Sequence, residues 1–319
     1  MILNPEALDL AFKGFKSVYT DAYTKAPVAW NKIAMTVPSS ARDETYGWLG
    51  QFPQLREWVS GERELKALEA FGFTIVNRRF EATVSITRSD FADDRLGVFK
   101  PMFAEMGHNA RQHPDELIFG LLNAGFSSPC YDGQNFFDAE HPVPDPAGPV
   151  TIDGRTFRLV SNMQAGTGPA WFLFDTSRAV RSIIWQEREE YEFQTVNRHD
   201  ETRVFMTDEY LYGIRARANA GFGLWQLAFG SKAALTAASY AAARAAMSGL
   251  KGDKGRILGI RPTVLVVPPT LEEAALKLLN AETNDGGGSN PWKGTAEIIV
   301  SPWLSGEGDP APETPEEEE

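Results

Sequence analysis

The first regular pattern in the chain is an apolar stripe at helical spacing, just after the N-terminus. Its members come at intervals of four, three and four residues, and they are Leu8, Phe12, Phe15 and Tyr19. Residues at these intervals lie on one face of a helix. Asn4 is able to cap such a helix and Pro5 fits its first turn. The pattern therefore predicts a short amphipathic helix at the start of the chain.

Strict alternation of apolar and polar residues follows within residues 73–91, which predicts a half-solvated strand. Helical spacing then returns, with apolar positions from Leu96 to Leu122. Pro114 is expected to break or restart this run, and the acids that follow it suit the first turn of a helix. Together these signals predict a long, kinked helix over residues 94–124.

The second half of the chain mixes strand and helix signals. Three apolar segments predict strands of an antiparallel or mixed sheet, at residues 171–175, 181–196 and 215–231. Short apolar runs at residues 262–267 and 296–301 predict a buried strand and a closing strand. An alanine-rich run predicts a helix from Thr236 to Met247. Thr270 and Glu273 have the spacing of a capping box and predict the start of another.

Two segments rich in glycine and proline interrupt these elements. Residues 142–169 predict a loop with at most a short hairpin, and residues 284–292 (NDGGGSNPW) predict a mobile loop. A third irregular segment, residues 46–61, holds seven large apolar residues that fit neither the helical nor the strand period. These aromatic side chains pack either on the body of their own chain or, as an intersubunit arm, on another chain.

The composition is that of a folded globular protein: 319 residues, 43% hydrophobic and 23% charged. A single cysteine excludes an internal disulfide and a zinc site built on paired thiolates, and it favours folding inside a cell. No run of about 18 apolar residues occurs, and the N-terminus lacks the apolar core of a signal peptide. The sequence therefore predicts neither a membrane span nor a secretion signal.

The net charge of -12 is unevenly distributed. Seven acids and no basic residue lie in residues 305–319, SGEGDPAPETPEEEE. Proline, glycine and glutamate at this density predict a solvated tail. The remainder is only mildly acidic, and such a body does not wrap DNA tightly by itself.

Cys130 and His141 form the one pair in the sequence that suggests covalent catalysis. A cysteine attacks as its thiolate, for which a base must remove the proton, and the stretch CYDGQNFFDAEHP holds both residues. Against this, Asp132 and Gly133 are turn formers, and a lone cysteine commonly acts as a small buried apolar residue. We therefore expect a turn-rich connector after the long helix, with a cysteine hydrolase as a remote alternative.

Other catalytic motifs are missing from the sequence. The glycine-rich segment NDGGGSN lacks the lysine and the Ser/Thr of a phosphate-binding loop. His108 and His113 are five residues apart on the predicted helix, so they point to different faces and do not suggest a shared metal. His199 lies in a polar turn. We therefore predict no cofactor, no metal and no enzymatic activity.

Several blocks in sequence order resemble the major head (capsid) protein of Mu-like transposable phages and prophages. They are NKIAM (31–35), YGWLGQFP (46–53), REWV (56–59), FEATVSITRSDF (80–91), LGVFKPMFAEMG (96–107), PDELIFGLLNAGF (114–126), PCYDGQNFFDAEHPV (129–143), VFMTDEYLYG (204–213) and AGFGLWQLA (220–228). The resemblance runs from about Asn31 to Leu304. It implies an α+β fold of the Hong Kong 97-like class. It also implies that copies assemble as pentamers and hexamers into an icosahedral shell around double-stranded DNA.

The same resemblance implies a division of the chain into parts. These are an N-terminal arm (1–35), an extended loop (36–88), a peripheral domain (89–154) with the spine helix 94–124, an axial domain (155–295), a closing strand (296–304) and the acidic tail (305–319). Within the extended loop, we predict that Trp48, Phe52 and Trp58 are buried between subunits, because aromatic anchors concentrate binding energy.

The partners implied by the resemblance are other copies of the chain, a portal protein, and the enclosed DNA by non-specific proximity. The N-terminal region is too short for a fused scaffolding domain, so a separate scaffolding protein and head protease are expected. The expected location is the virion, after assembly in the cytoplasm of the bacterial host, and no membrane is involved. An encapsulin-type nanocompartment shell is the structural alternative.

Overall fold

The computed structural model describes residues 5–49, 72–93, 96–145, 147–152, 154–198, 201–252, 255–284 and 287–304. Its helices are α1 (Pro5–Lys25), α2 (Arg88–Ala92), α3 (Leu96–Ala124), α4 (Thr202–Thr207), α5 (Ala237–Ser248) and α6 (Glu272–Leu279). Its first strands are β1 (Ala34–Pro38), β2 (Asp43–Tyr46), β3 (Phe73–Val76), β4 (Arg78–Thr87), β5 (His141–Pro144), β6 (Val150–Ile152) and β7 (Arg155–Val160). The remaining strands are β8 (Met163–Gln164), β9 (Trp171–Phe174), β10 (Ile183–Val196), β11 (Glu209–Phe222), β12 (Ala228–Ser231), β13 (Val264–Val267) and β14 (Glu297–Val300).

Two larger sheets organise these strands. The first has the order β1-β10-β11-β4, with β1 parallel to β10 and the other pairs antiparallel. The second has the order β14-β13-β9-β12-β8 and is also mixed, because β14 and β8 pair in parallel with their neighbours. The mixture of separate helices and mixed sheets confirms the predicted α+β class.

Two hydrophobic cores lie within the described residues. The larger core surrounds the second sheet, where all four residues of β9 and all four of β13 are buried. The smaller core lies between α1, α3, the second half of β10 and the first half of β11. The long strands β10 and β11 contribute residues to both cores: Ile183 and Phe222 to the larger, Phe193 and Tyr212 to the smaller.

Helices α1 and α3 run side by side in the same direction. Phe15 stacks on Phe103 with ring centroids 4.3 Å apart, and four residues further along both helices the backbone of Tyr19 lies against Gly107. A β-carbon at Gly107 would overlap the carbonyl oxygen of Tyr19, so glycine sets how closely the helices approach. The predicted apolar stripe of α1 is therefore buried on α3, with Phe12 only partly covered.

Helix α3 confirms the predicted long helix and corrects its expected interruption. It continues as one element from Leu96 to Ala124 with Pro101 and Pro114 inside it. Pro114 is buried, and burial of the surrounding helix face compensates for the lost backbone hydrogen bond. Asp115, the acid that follows Pro114, does not lie in the first turn of a new helix. Its carboxylate accepts hydrogen bonds from the backbone N–H groups of Ala29 (3.1 Å) and Trp30 (2.6 Å).

The prediction for residues 142–169 was wrong. This segment contributes the three-stranded antiparallel sheet β5-β7-β6 and the short strand β8. Prolines lie at 142 and 144 in β5, which is an edge strand of that sheet and therefore tolerates residues that cannot donate. Turn-forming residues in this segment connect short strands rather than replace them.

Three further boundaries differ from the sequence predictions. Thr270 does not cap α6: it lies in a 3-10 turn, Pro269–Leu271, and the residue before α6 makes no side-chain cap. The predicted strand at 215–231 is divided into β11 and β12 by a second such turn, Trp225–Leu227. Strands β1 and β2 were missed, because each pairs with a strand distant in sequence and has little pattern of its own. The capping box of α5, by contrast, is present at Thr236 and Ser239.

Candidate functional site

The connector after α3 is a tight hairpin that presents Cys130 and Asp132. Pro129 pairs with Asn135, and the backbone N–H of Cys130 donates to the carbonyl of Gln134 (2.8 Å). Gly133 takes φ 85° at the turn, a conformation that favours glycine. Asp132 Oδ1 accepts from the backbone N–H of Gln134 (3.1 Å), which fixes the carboxylate. The predicted turn-rich connector is confirmed.

The fold brings Cys130 and His141 together through Asp132. The Cys130 thiol donates to Asp132 Oδ1 (3.1 Å), and His141 Nδ1 lies 2.8 Å from Asp132 Oδ2. All three residues are secluded: Cys130 is 5% exposed, His141 0% and the Asp132 side chain 6%. Burial, followed by the nearby Asp132 charge, raises the pKa of the Cys130 thiol far above its ordinary value. A thiol held neutral and covered in this way is a poor nucleophile, so the geometry gives the hydrolase alternative no support.

The other side of His141 is held by Trp225 and Asn162. The imidazole lies flat on the indole of Trp225, with centroids 3.9 Å apart and planes 10° apart. His141 Nε2 faces Asn162 Oδ1 at 3.2 Å. The Asn162 amide is oriented by the backbone, because its Nδ2 donates to the carbonyl of Phe136 (2.8 Å) and its Oδ1 accepts from the N–H of Asp138 (2.9 Å). Both ring nitrogens of His141 therefore face oxygen atoms.

The predicted aromatic anchors lie at the edge of the described chain. Trp48 is half-buried and packs on the larger core of its own chain, edge-on to Tyr46 with centroids 6.2 Å apart. Phe52 and Trp58 lie outside the described residues. Trp48 thus contacts its own chain and still leaves part of the indole accessible, and burial of all three between subunits stays a prediction.

A polar cluster beside the smaller core contains residues that no sequence motif marks as functional. His113 Nδ1 and the Tyr191 hydroxyl form a short hydrogen bond, and Phe80 meets the imidazole edge-on at 4.2 Å. Burial, followed by the positive charge of Arg78, lowers the pKa of His113 to about 4. His113 is therefore a neutral link between α3 and β10. His108 is not part of this cluster, which agrees with the prediction that His108 and His113 point to different faces of the helix.

None of the helices in the described ranges combines the length and apolar character needed to cross a membrane.

What the chain does is decided by comparison with known proteins. The model of the family "Mu-like prophage major head subunit gpT" matches residues 8–304. The chain belongs to this family of phage head proteins. The match covers both cores and all of the resemblance inferred from the sequence blocks, residues 31–304.

Two relatives show how close the membership is. The major capsid protein of Escherichia phage Mu is 43% identical over 307 residues, which cover 95% of this chain and 100% of the relative. The Mu-like prophage FluMu major head subunit of Haemophilus influenzae is 41% identical over 285 residues, covering 88% and 91%. Both are phage head proteins, so this chain is a major capsid protein located in the virion, and the nanocompartment alternative is not favoured.

Solved structures of bacteriophage JBD30 confirm the fold. Its procapsid subunit matches with a TM-score of 0.83 at 42% identity, covering 94% of this chain and 100% of that one. Its capsid subunit matches with a TM-score of 0.74 at 33% identity, covering 95% and 100%. These neighbours are major capsid proteins of the Hong Kong 97-like fold, and the agreement is higher for the procapsid subunit than for the capsid subunit.

Proposed function

We propose that this major capsid protein assembles as pentamers and hexamers into an icosahedral shell that encloses double-stranded phage DNA, and that it has no enzymatic activity. The observation that carries the proposal is the match to the JBD30 procapsid subunit over that subunit's entire length. A chain whose backbone matches that subunit over nearly its whole length has the framework from which such subunits form their contacts. A shell also needs no catalytic group, in keeping with the seclusion of Cys130.

The division of the chain into arm, extended loop, peripheral domain, axial domain and closing strand fits the described elements. Strands β2 and β3 pair antiparallel, from Asp43 opposite Val76 to Tyr46 opposite Phe73, so the points where the chain enters and leaves this loop lie side by side. This supports an extended loop that reaches a neighbouring subunit. The smaller core around α3 suits the peripheral domain, and the larger core suits the axial domain.

The proposed partners during assembly are a separate scaffolding protein, a head protease and a portal protein. The chain would meet the DNA only by non-specific proximity. The acidic tail, residues 305–319, would point away from it, because a run of glutamates facing phosphates is repelled.

Co-expression with the scaffolding protein and protease of the same phage, followed by electron microscopy, tests this function. We expect closed icosahedral particles that protect double-stranded DNA from nuclease when the packaging machinery is supplied. The variant Cys130→Ala is expected to retain assembly into closed particles. Particles that enclose a cellular enzyme and never DNA, or a hydrolytic activity that disappears in Cys130→Ala, would contradict the proposal.

A further inference from the structure

Three side chains of the connector place metal-binding atoms together inside the protein. Cys130 Sγ, a carboxylate oxygen of Asp132 and His141 Nδ1 all lie within 4.8 Å of one another. We propose that these three residues bind one Zn²⁺ ion that stabilises the connector between α3 and β5. This goes beyond the shell function, and it revises the sequence-based expectation of no metal, which considered only paired thiolates and the helical histidines.

The donor set suits zinc. Thiolate, imidazole and carboxylate are its common ligands, and a tetrahedral ion places them roughly 3.3–3.6 Å apart, given bonds of about 2.0–2.3 Å. The Cys130–Asp132 and Asp132–His141 separations are 3.1 and 2.8 Å. Insertion of the ion therefore requires these two pairs to separate by a few tenths of an ångström, and Cys130 Sγ and His141 Nδ1, which lie within 4.8 Å of one another, to settle at a similar spacing. Harder cations such as Mg²⁺ and Ca²⁺ prefer oxygen ligands and do not fit a site with sulfur and nitrogen.

Asn162 supplies the outer support that a metal-bound histidine needs. A ligating imidazole usually donates its second N–H to a fixed acceptor, which orients the ring. Asn162 Oδ1 lies 3.2 Å from His141 Nε2, and the Asn162 amide cannot turn without losing its bonds to Phe136 and Asp138. This acceptor presents an oxygen to Nε2, which leaves Nδ1 as the ligand atom.

The same arrangement explains why a metal ion would satisfy the polar atoms of this site better than protons do. With Asp132 at Nδ1 and Asn162 at Nε2, both nitrogens of His141 face oxygen, and only a doubly protonated ring donates to both. A zinc ion at Nδ1 lets the neutral imidazole satisfy both sides, since it replaces one proton there. It also replaces the thiol proton of Cys130, so the ion's two positive charges balance the thiolate and the carboxylate.

The position of the ligands explains what the ion would do. Cys130 and Asp132 are in the hairpin that follows α3, whereas His141 begins β5. One ion would therefore close the connector between them at a point already covered by Trp225. The three chain ligands leave one tetrahedral position for water or another donor.

Metal analysis of purified particles tests this proposal. Particles expressed with zinc supplementation and washed with a weak chelator are expected to hold about one zinc per subunit, because structural sites bind zinc tightly. Cys130→Ser and His141→Gln should each reduce the zinc content about ten-fold or more. His108→Gln, a histidine of α3 outside the cluster, should keep the wild-type content. Equal zinc in all four proteins, or almost none in the wild type, would overturn the proposal.

X-ray absorption at the zinc edge of wild-type particles gives a second measurement that needs no variant to fold. We expect one sulfur neighbour at about 2.3 Å and nitrogen or oxygen neighbours at about 2.0–2.2 Å. A spectrum without sulfur would place the zinc elsewhere and refute the assignment, since the chain has a single cysteine. The outcome is independent of whether the shells take up DNA.

Discussion

Gly107 of α3 lies so close to Tyr19 of α1 that the carbonyl oxygen of Tyr19 occupies the space of a β-carbon. The contact is a feature of two parallel helices that share one core, and it can be tested directly. Replacement by alanine has to separate the helices or distort them. We expect Gly107→Ala to lower the free energy of unfolding by about 1–3 kcal/mol, the usual cost of overpacking.

Gly120 in the same helix provides the matched control. A β-carbon there meets nothing within 4 Å. Since alanine favours a helix interior over glycine by up to about 1 kcal/mol, Gly120→Ala should be neutral or stabilising. Denaturant unfolding of unassembled subunits measures both variants. Equal effects of the two substitutions would show that the contact with Tyr19 does not limit helix packing.

His113, beside the smaller core, makes the stability of the fold depend on pH. Its pKa is lowered to about 4 in the fold, by burial and then by Arg78, against about 6.5 in an unfolded chain. The unfolded state therefore binds the proton more readily. The stability contributed by neutral His113 is complete above about pH 6.5 and is lost as the pH falls towards 4.

The variant His113→Gln separates this effect from the titration of carboxylates. Glutamine cannot take up a proton, and it is able to hydrogen-bond Tyr191. We expect wild-type subunits to lose more stability than His113→Gln between pH 6.5 and 4.5, measured as the shift of the urea midpoint. Parallel curves for the two proteins would contradict a neutral, buried His113.

Asp115 joins α3 to the segment before β1. Its carboxylate accepts from the backbone N–H groups of Ala29 and Trp30. Asp115→Ala leaves these donors without their acceptor, which costs about 1–3 kcal/mol per buried group. Asp115→Asn keeps one acceptor oxygen and should lose less. Unfolding midpoints that rank the alanine variant above the asparagine variant would disprove this role.

Trp48 and Trp58 are expected to anchor the extended loop on a neighbouring subunit. The double variant Trp48→Ala/Trp58→Ala should give soluble capsomers or no particles, because a buried aromatic anchor contributes about 2 kcal/mol or more to an interface. Trp303→Ala is the control, since Trp303 is exposed and lies outside the loop. Electron microscopy and sedimentation measure the outcome. Normal, stable heads from the double variant would refute the predicted anchors.

The acidic tail should be accessible on filled particles. A glutamate-specific protease added to intact heads is expected to remove residues from 305–319 while the shell and its DNA remain intact. Protection of the tail until the shell is opened, or density for it on the inner surface, would contradict an outward position. Deletion of 305–319 serves as the reference for complete removal.

Elements with a strong local period were predictable from the sequence. The apolar stripes of α1 and α3 are buried against a core, and in β4 the alternating apolar positions include the buried Ile86, so the sequence records these faces directly. Strand β1 has no such pattern in the sequence, because it is stabilised by pairing with β10, which lies about 150 residues away in the chain. Thr270 had the right spacing for a cap, but the prolines around it favour a 3-10 turn.

In the candidate site, too, local features were predictable from the sequence and long-range contacts were not. The turn at Asp132 and Gly133 was predictable from residue types that favour it. The approach of Asp132 to both Cys130 and His141 depends on the hairpin and on β5 together, and the role of Asn162 depends on a residue 21 positions beyond His141. Contacts across such distances follow from packing, which no local pattern specifies.

The long strands β10 and β11 connect the two hydrophobic cores and are packed in one core at each end. The first half of β10 and the second half of β11 are packed in the larger core, and their other halves in the smaller one, so a rotation of one core against the other has to flex this pair. The pairing of β10 with β11 is irregular between Glu187 and Glu189 and again between Glu189 and Glu192, where fewer hydrogen bonds between the strands resist bending. A subunit that changes shape would therefore bend at this stretch, and stiffening it would hold the two cores at a single angle.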